Sequence, residues 1–223
     1  MKNSKYTLWV LLLAALLIFS ACDSIDTAAQ RTAAVFTGDD PVEKPLAPGT
    51  AEEIGKMLAS AKEQTGVTKN YDPAYVVLAY PNGDVPADRG VCTDVIIRAM
   101  RKAGVDLQKE VHEDMAANFP LYPKKWGLPA ADANIDHRRV PNLQTFFTRK
   151  GKSLPVTAKA DDYKPGDLVT WDLDGKGMTH IGVVSNFWSA KNQRYYIIHN
   201  IGGGAQAEDR IFDWKVTGHY RYF

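Results

Sequence analysis

Two cysteines and five histidines carry most of the chemistry open to this 223-residue chain. Cys92 opens the run Cys92-Thr93-Asp94-Val95-Ile96-Ile97-Arg98-Ala99-Met100, in which Val95, Ile96, Ala99, Met100 and Ala103 mark one helical face. A cysteine in the first turn of a helix is set for nucleophilic chemistry. The unpaired N–H groups and the dipole there favour a thiolate, and the same N–H groups can stabilise an oxyanion. The competing reading is a buried structural thiol, because free cysteine is among the most buried residue types. A base must come from a histidine. His180 begins the run His-Ile-Gly-Val-Val-Ser, and His199 ends Tyr-Tyr-Ile-Ile-His. The polar segment 186–194 between them suits a hairpin, and antiparallel pairing would bring His180 and His199 together as a base and its orienter. His112 falls in a charged helical piece, His137 in a polar loop and His219 near the chain end.

The elements that must position these residues are legible in part. Thr50, with Glu53 three residues on, has the form of a capping box ahead of Ile54, Met57, Leu58 and Ala61 at helical spacing, and Gly66 is the expected stop. Pro81-Asn82-Gly83-Asp84 signals a turn. The stretch 105–140 mixes a helical start around Val111–Met115 with Pro120, Pro123 and Pro129, and Pro141 to Lys150 reads as a further helix. Then the pattern changes. Leu168–Trp171, Ile181–Val184, Tyr195–His199 and His219–Phe223 are short strand-like runs. Helices first and strands later give an α+β domain, a helix bearing the nucleophile packed on an antiparallel sheet.

The N-terminus reads as an export signal. Lys2 and Lys5 precede a 12-residue apolar run from Leu8 to Phe19. At ~1.5 Å per residue that run reaches roughly 18 Å, short of the ~30 Å hydrocarbon core. Phe19-Ser20-Ala21-Cys22 resembles the lipobox of bacterial lipoproteins, with Phe19 where Leu is usual. The resemblance implies lipidation of Cys22 and attachment to a membrane. In an enteric-type host, Asp23 after it implies retention at the inner membrane. Plain cleavage after Ala21 is the alternative. The organisation expected is a signal over 1–21, a lipidated N-terminus and flexible tether over 22–49, and one hydrolase domain over 50–223.

An ordered set of motifs points to a family. Lys164-Pro165-Gly166-Asp167-Leu168-Val169, Thr179-His180-Ile181-Gly182-Val183-Val184 and Ile197-Ile198-His199-Asn200 together resemble the NlpC-type papain-like cell-wall thiol hydrolases. From Tyr75 to Phe223 the chain is more similar to an uncharacterised bacterial periplasmic branch of that superfamily, through Gly90-Val91-Cys92-Thr93-Asp94-Val95, His199-Asn200-Ile201-Gly202-Gly203-Gly204 and Thr217-Gly218-His219-Tyr220-Arg221-Tyr222. The resemblance implies a papain-like fold and a Cys92, His180, His199 triad, with Tyr80 as the tyrosine close to the nucleophile. Asn200 is the alternative orienter, but one residue along a strand it should face the other side. Where the family has Asp-Cys-Ser-Gly, this chain has Val91-Cys92-Thr93-Asp94.

The reaction so implied is hydrolysis of an amide in peptidoglycan peptides through a thioester on Cys92. The alternatives are a thiol hydrolase of another envelope substrate and a non-catalytic envelope binding protein that keeps the fold. A net charge of +1 gives no reason to expect nucleic acid. No cofactor is expected, and Asp132, Asp136 and His137 lack an adequate set of further metal ligands. Gly202–Gly204 reads as a permissive turn, Arg138 and Arg139 as a solvated loop, and Trp171 and Trp214 as core.

Overall fold

The computed structural model describes residues 36–37 and 41–223. The signal segment, Cys22, Asp23 and most of the expected tether lie outside the described residues. The described part opens with β1 (Phe36–Thr37), β2 (Val42–Glu43) and α1 (Glu52–Val67). Then come β3 (Asn70–Tyr71), β4 (Arg89–Gly90), α2 (Cys92–Lys102), α3 (Leu107–Ala117) and α4 (Val140–Arg149). The C-terminal third is strand-rich: β5 (Ser153–Leu154), β6 (Leu168–Asp172), β7 (Thr179–Ser189), β8 (Arg194–Asn200), β9 (Ala205–Glu208) and β10 (Lys215–Tyr220).

This is an α+β arrangement. One sheet has the order β1-β9-β8-β7-β6-β10-β5, with β2 added against β7. Its pairings are antiparallel except for β1 on β9. β3 and β4 form a separate parallel pair. Alternation along the strands sorts side chains to two faces. Ile181, Val183, Tyr196 and Ile198 join Met57, Ile96, Met100 and Phe146 in the larger core, on the side of the helices. Val169, Trp171, Val184 and Ile197 face the other way, where Tyr163 and Ile211 cover them.

Several local expectations shift. α1 begins at Glu52 after Ala51, and the Thr50 hydroxyl instead donates to Ala47 O at 2.7 Å. The helix runs one residue past Gly66, to Val67. Val42–Glu43, expected within the tether, is paired to the sheet opposite Trp188 and Phe187. β7 reaches Ser189, so the hairpin turn into β8 is shorter than the polar segment suggested, and the register shifts between Val184 and Trp188. The 205–208 segment, which falls outside the strand-like runs of the sequence, is a strand.

Candidate active site

The two strand histidines meet. Trp171 of β6 pairs with His180 and Gln206 of β9 with His199, which fixes both on the sheet. Their rings lie on the side of Trp171, away from the helices. His180 Nε2 is 2.7 Å from His199 Nδ1, and the pair is sealed by Trp171 and Trp214, whose rings lie 5.8 and 6.2 Å from that of His180. Both histidines are buried. Gly182 makes room for the pair, because a Cβ there would stand 2.5 Å from Ile197 Cγ2 and 3.1 Å from His199 Cβ. The chain of hydrogen bonds continues. His199 Nε2 lies 2.8 Å from Glu208 Oε2, and Arg210 Nε donates to Glu208 Oε1 at 2.9 Å.

Cys92 is the first residue of α2, carries a free thiol and sits in the helix-side core. The backbone N–H groups of Ile181, Thr93 and Cys92 itself act on its sulfur in favour of the thiolate. Ile181 directly follows His180, and neighbours along a strand face opposite sides, so the thiol meets β7 on the face opposite both imidazoles and the expected triad is not brought together. Among the described residues, no hydrogen bond joins the thiol to either imidazole.

The start of α2 is built around a buried ion pair. Asp94, third in the helix, folds back to accept the Val91 N–H at 2.7 Å, the half of a capping box that an aspartate can supply. Its carboxylate also receives a two-pronged contact from Arg138, Nε to Oδ1 and Nη2 to Oδ2, both at 2.9 Å. Gly90 permits this: its φ is +153°, and a Cβ would meet Asp94 Oδ2 at 2.8 Å. Arg138 also donates to Ala74 O at 3.0 Å, and Thr93 Oγ1 donates to Arg138 O at 3.1 Å. Arg138 is therefore a buried brace and not the solvated loop residue its Asp-His-Arg-Arg context suggests. Charge in the neighbouring sequence does not reveal a partner 44 residues away.

The tyrosine beside Cys92 is Tyr71. It lies opposite Gly90 in the β3–β4 pair. Burial, then the negative charge of a Cys92 thiolate and of Asp94, pushes its hydroxyl up to about 12. Tyr80 lies elsewhere, 44% exposed, with its ring edge-on to His112 at 5.3 Å. The twelve-residue spacing to Cys92 does not bring it to the thiol, because residues 72–88 loop away between β3 and β4.

Electrostatics differ from the expectation of a lowered thiol pKa. Burial pushes the Cys92 thiol up to about 12, outweighing the N–H groups at the helix start, and Asp94 adds to the rise. Burial, with His199 beside it, holds His180 down at about 3. At rest the site is thus a neutral thiol and a neutral imidazole. Its fixed charge lies further out, on Asp94–Arg138 and on Glu208–Arg210.

Other singled-out residues have structural partners. Asn200 Nδ2 donates to Gly90 O at 3.0 Å, on the Cys92 side and away from the imidazoles. His219 Nε2 lies 2.8 Å from Asp167 Oδ2, which Arg221 also binds. His137 and Asp136 are buried, and Asp132 accepts from Tyr75. Gly202 and Gly204 both have positive φ, at +142° and +91°. Sequence reasoning missed Glu208 and Tyr71. Ala-Gln-Ala-Glu lacks the apolar alternation that marks a strand, and Tyr71 sits in a two-residue strand below the reach of periodicity.

A family model described as a domain of unknown function, DUF1287, matches residues 58–222. The chain is 53% identical over 187 residues to the uncharacterized protein YijF of Escherichia coli (strain K12), over 82% of this chain and 90% of that protein. Among solved structures, NlpC1 from Trichomonas vaginalis aligns at 13% identity and a TM-score of 0.40, over 81% of this chain. The chain spans about half the length of that protein, 47%.

Proposed function

This chain belongs to the DUF1287 family, a domain family of unknown function, and from its site we propose an exported cysteine hydrolase that cleaves amide bonds in peptidoglycan peptides. The observation that carries the reading is the 2.7 Å contact between His180 Nε2 and His199 Nδ1, on the strand against which Cys92 opens α2. The order of Cys92, His180 and His199, and its resemblance to the NlpC-type enzymes, supplies the substrate class. The export signal and lipobox-like Cys22 read from the sequence support an envelope substrate.

In this mechanism substrate binding brings an amide carbonyl to Cys92. The thiol lies on the helix face of β7 and the imidazoles on the Trp171 face, so the reaction requires the Thr179–His180 end of β7 to turn when substrate binds and bring His180 to the sulfur. Sulfur then attacks the carbonyl carbon while its proton passes to His180. Because thiol and imidazole are both neutral at rest, that transfer accompanies attack and does not precede it. The backbone N–H of Cys92 and the Tyr71 hydroxyl stabilise the oxyanion. The amine leaves with the proton from His180, giving a thioester. Water, deprotonated by His180, then attacks the thioester carbonyl, and the returning proton restores the thiol as the acid departs.

Digestion of purified muropeptides, followed by mass spectrometry, tests this. Wild type should release products shorter by peptide fragments, and Cys92→Ala should release none. Tyr71→Phe should lower kcat by about 100- to 1,000-fold, the scale of a lost oxyanion donor, while Tyr80→Phe leaves it unchanged. Unchanged product masses across the panel with wild type, or full activity of Cys92→Ala, would overturn the reading.

One observation favours a second reading. The thiol is buried and pushed up to about 12, as suits a structural cysteine in an envelope binding protein. On that reading, Cys92→Ala would retain the peptide on the protein without cleavage by either form.

A further inference from the structure

We infer that Glu208 is a positioning residue that sets the direction of the imidazole chain and leaves Nδ1 of His180 as the basic nitrogen, an inference that rests on the hydrolase reading of the same site. Both ring nitrogens of His199 are engaged: Nδ1 with His180 Nε2 at 2.7 Å and Nε2 with Glu208 Oε2 at 2.8 Å. A neutral imidazole has one N–H and one lone pair. An ionised carboxylate accepts and cannot donate. With His199 taken as neutral, its hydrogen is on Nε2, turned to Glu208, and its Nδ1 is an acceptor. His180 must then donate from Nε2, and Nδ1 is the nitrogen left with a lone pair.

Without Glu208 the two imidazoles would be free to exchange roles. The mirror arrangement, with His199 donating from Nδ1, puts the His180 hydrogen on Nδ1 and removes the base. The site makes the first arrangement the stable one. Glu208 is 5% exposed, and Arg210 Nε occupies its other oxygen at 2.9 Å, the partner of an ionised carboxylate. Glu208 also stands next to the charge that develops. When His180 takes a proton on Nδ1, the imidazolium donates from Nε2 to His199, which in turn donates to the carboxylate, so the positive charge faces a negative one two hydrogen bonds away. Glu208 is bonded to His199 and Arg210 and acts through His199.

The experiment is nitrogen-15 NMR of the histidine rings in the full chain at pH 7, beside kinetics on the same muropeptides. In wild type, His180 and His199 should each show a protonated Nε2 and a bare Nδ1. In Glu208→Gln the side-chain amide can donate as well as accept, so both rings should become mixtures of tautomers. There kcat should fall by about 100-fold, the lower end of what a general base contributes, because part of the population keeps the productive tautomer, with KM unchanged. Glu208→Asp should recover part of kcat and the wild-type tautomers, which a merely structural role would not produce. A wild-type His180 protonated on Nδ1 overturns the inference, whether or not Glu208→Gln folds. So does a folded Glu208→Gln with wild-type tautomers. If the tautomers are as expected but wild type hydrolyses nothing, the positioning stands and the hydrolase reading fails.

Discussion

Lowering the pH from 7 to 5 is expected to remove about 4 kcal/mol of stability from the folded domain. Burial holds both His180 and His137 down at about 3. In the unfolded chain each titrates near ~6.5. Below that value the unfolded state binds protons that the folded state refuses, so stability falls as pH falls. Each group is neutral in both states above about pH 6.5 and contributes no penalty there. The loss grows by about 1.4 kcal/mol per histidine per pH unit until the folded value near 3 is reached, so at pH 5 the pair accounts for about 4 kcal/mol. Against a total of roughly 5–15 kcal/mol for a single domain, that is a large fraction. Urea unfolding at pH 7, 6 and 5 measures it. His137→Gln, which has no proton to gain, should halve the slope. A midpoint that stays level from pH 7 to pH 5 would contradict neutral burial of the two imidazoles.

Arg138→Met is expected to destabilise the domain by about 3–5 kcal/mol, the range for removing one partner of a buried ion pair. The side chains of Arg138 and Asp94 are 2% and 4% exposed. Among the described residues, removing the guanidinium leaves the carboxylate with only the Val91 N–H, close enough to Cys92 for its charge to act on the thiol. The same change frees the carbonyl of Ala74 and loosens the segment that carries Tyr71 to the thiol. Asp94→Asn combined with Arg138→Met should recover part of the loss, because no unpaired charge remains. Urea unfolding of the two single variants and the double variant measures the coupling. A loss below about 1 kcal/mol for Arg138→Met would place the pair in water and not in the core.

The sequence carries the site unevenly, and the reason lies in the range of each signal. Cys92 at the head of α2 follows from helical spacing and a following Gly104, both local. The meeting of His180 and His199 follows from period-two strands and an antiparallel return, also local because β7 and β8 are joined by a hairpin. Glu208 lies on the next strand over, in Ala-Gln-Ala-Glu, where an alternation of small and polar residues looks the same as a loop. Arg138 escaped for a different reason. A buried arginine reads as a surface one until the chain brings up a carboxylate from far away, and Asp94 arrives only with the third dimension. Tyr80 and Tyr71 show the limit of spacing itself: the count of residues to Cys92 says nothing about which way the intervening loop turns. The thiol's protonation state depends on how deeply Cys92 is covered, and no local pattern encodes that competition between burial and helix-start N–H groups.

The central claim is that Cys92 becomes acylated with help from His180. The direct test is to quench a reaction of the full chain with muropeptide in acid within its first turnovers and map the protein by mass spectrometry. The account predicts a peptide-acyl adduct on the fragment containing Cys92, present in wild type and absent from Cys92→Ala and His180→Ala. Product formation by wild type with the adduct on another residue, or product formation by Cys92→Ala, would contradict it.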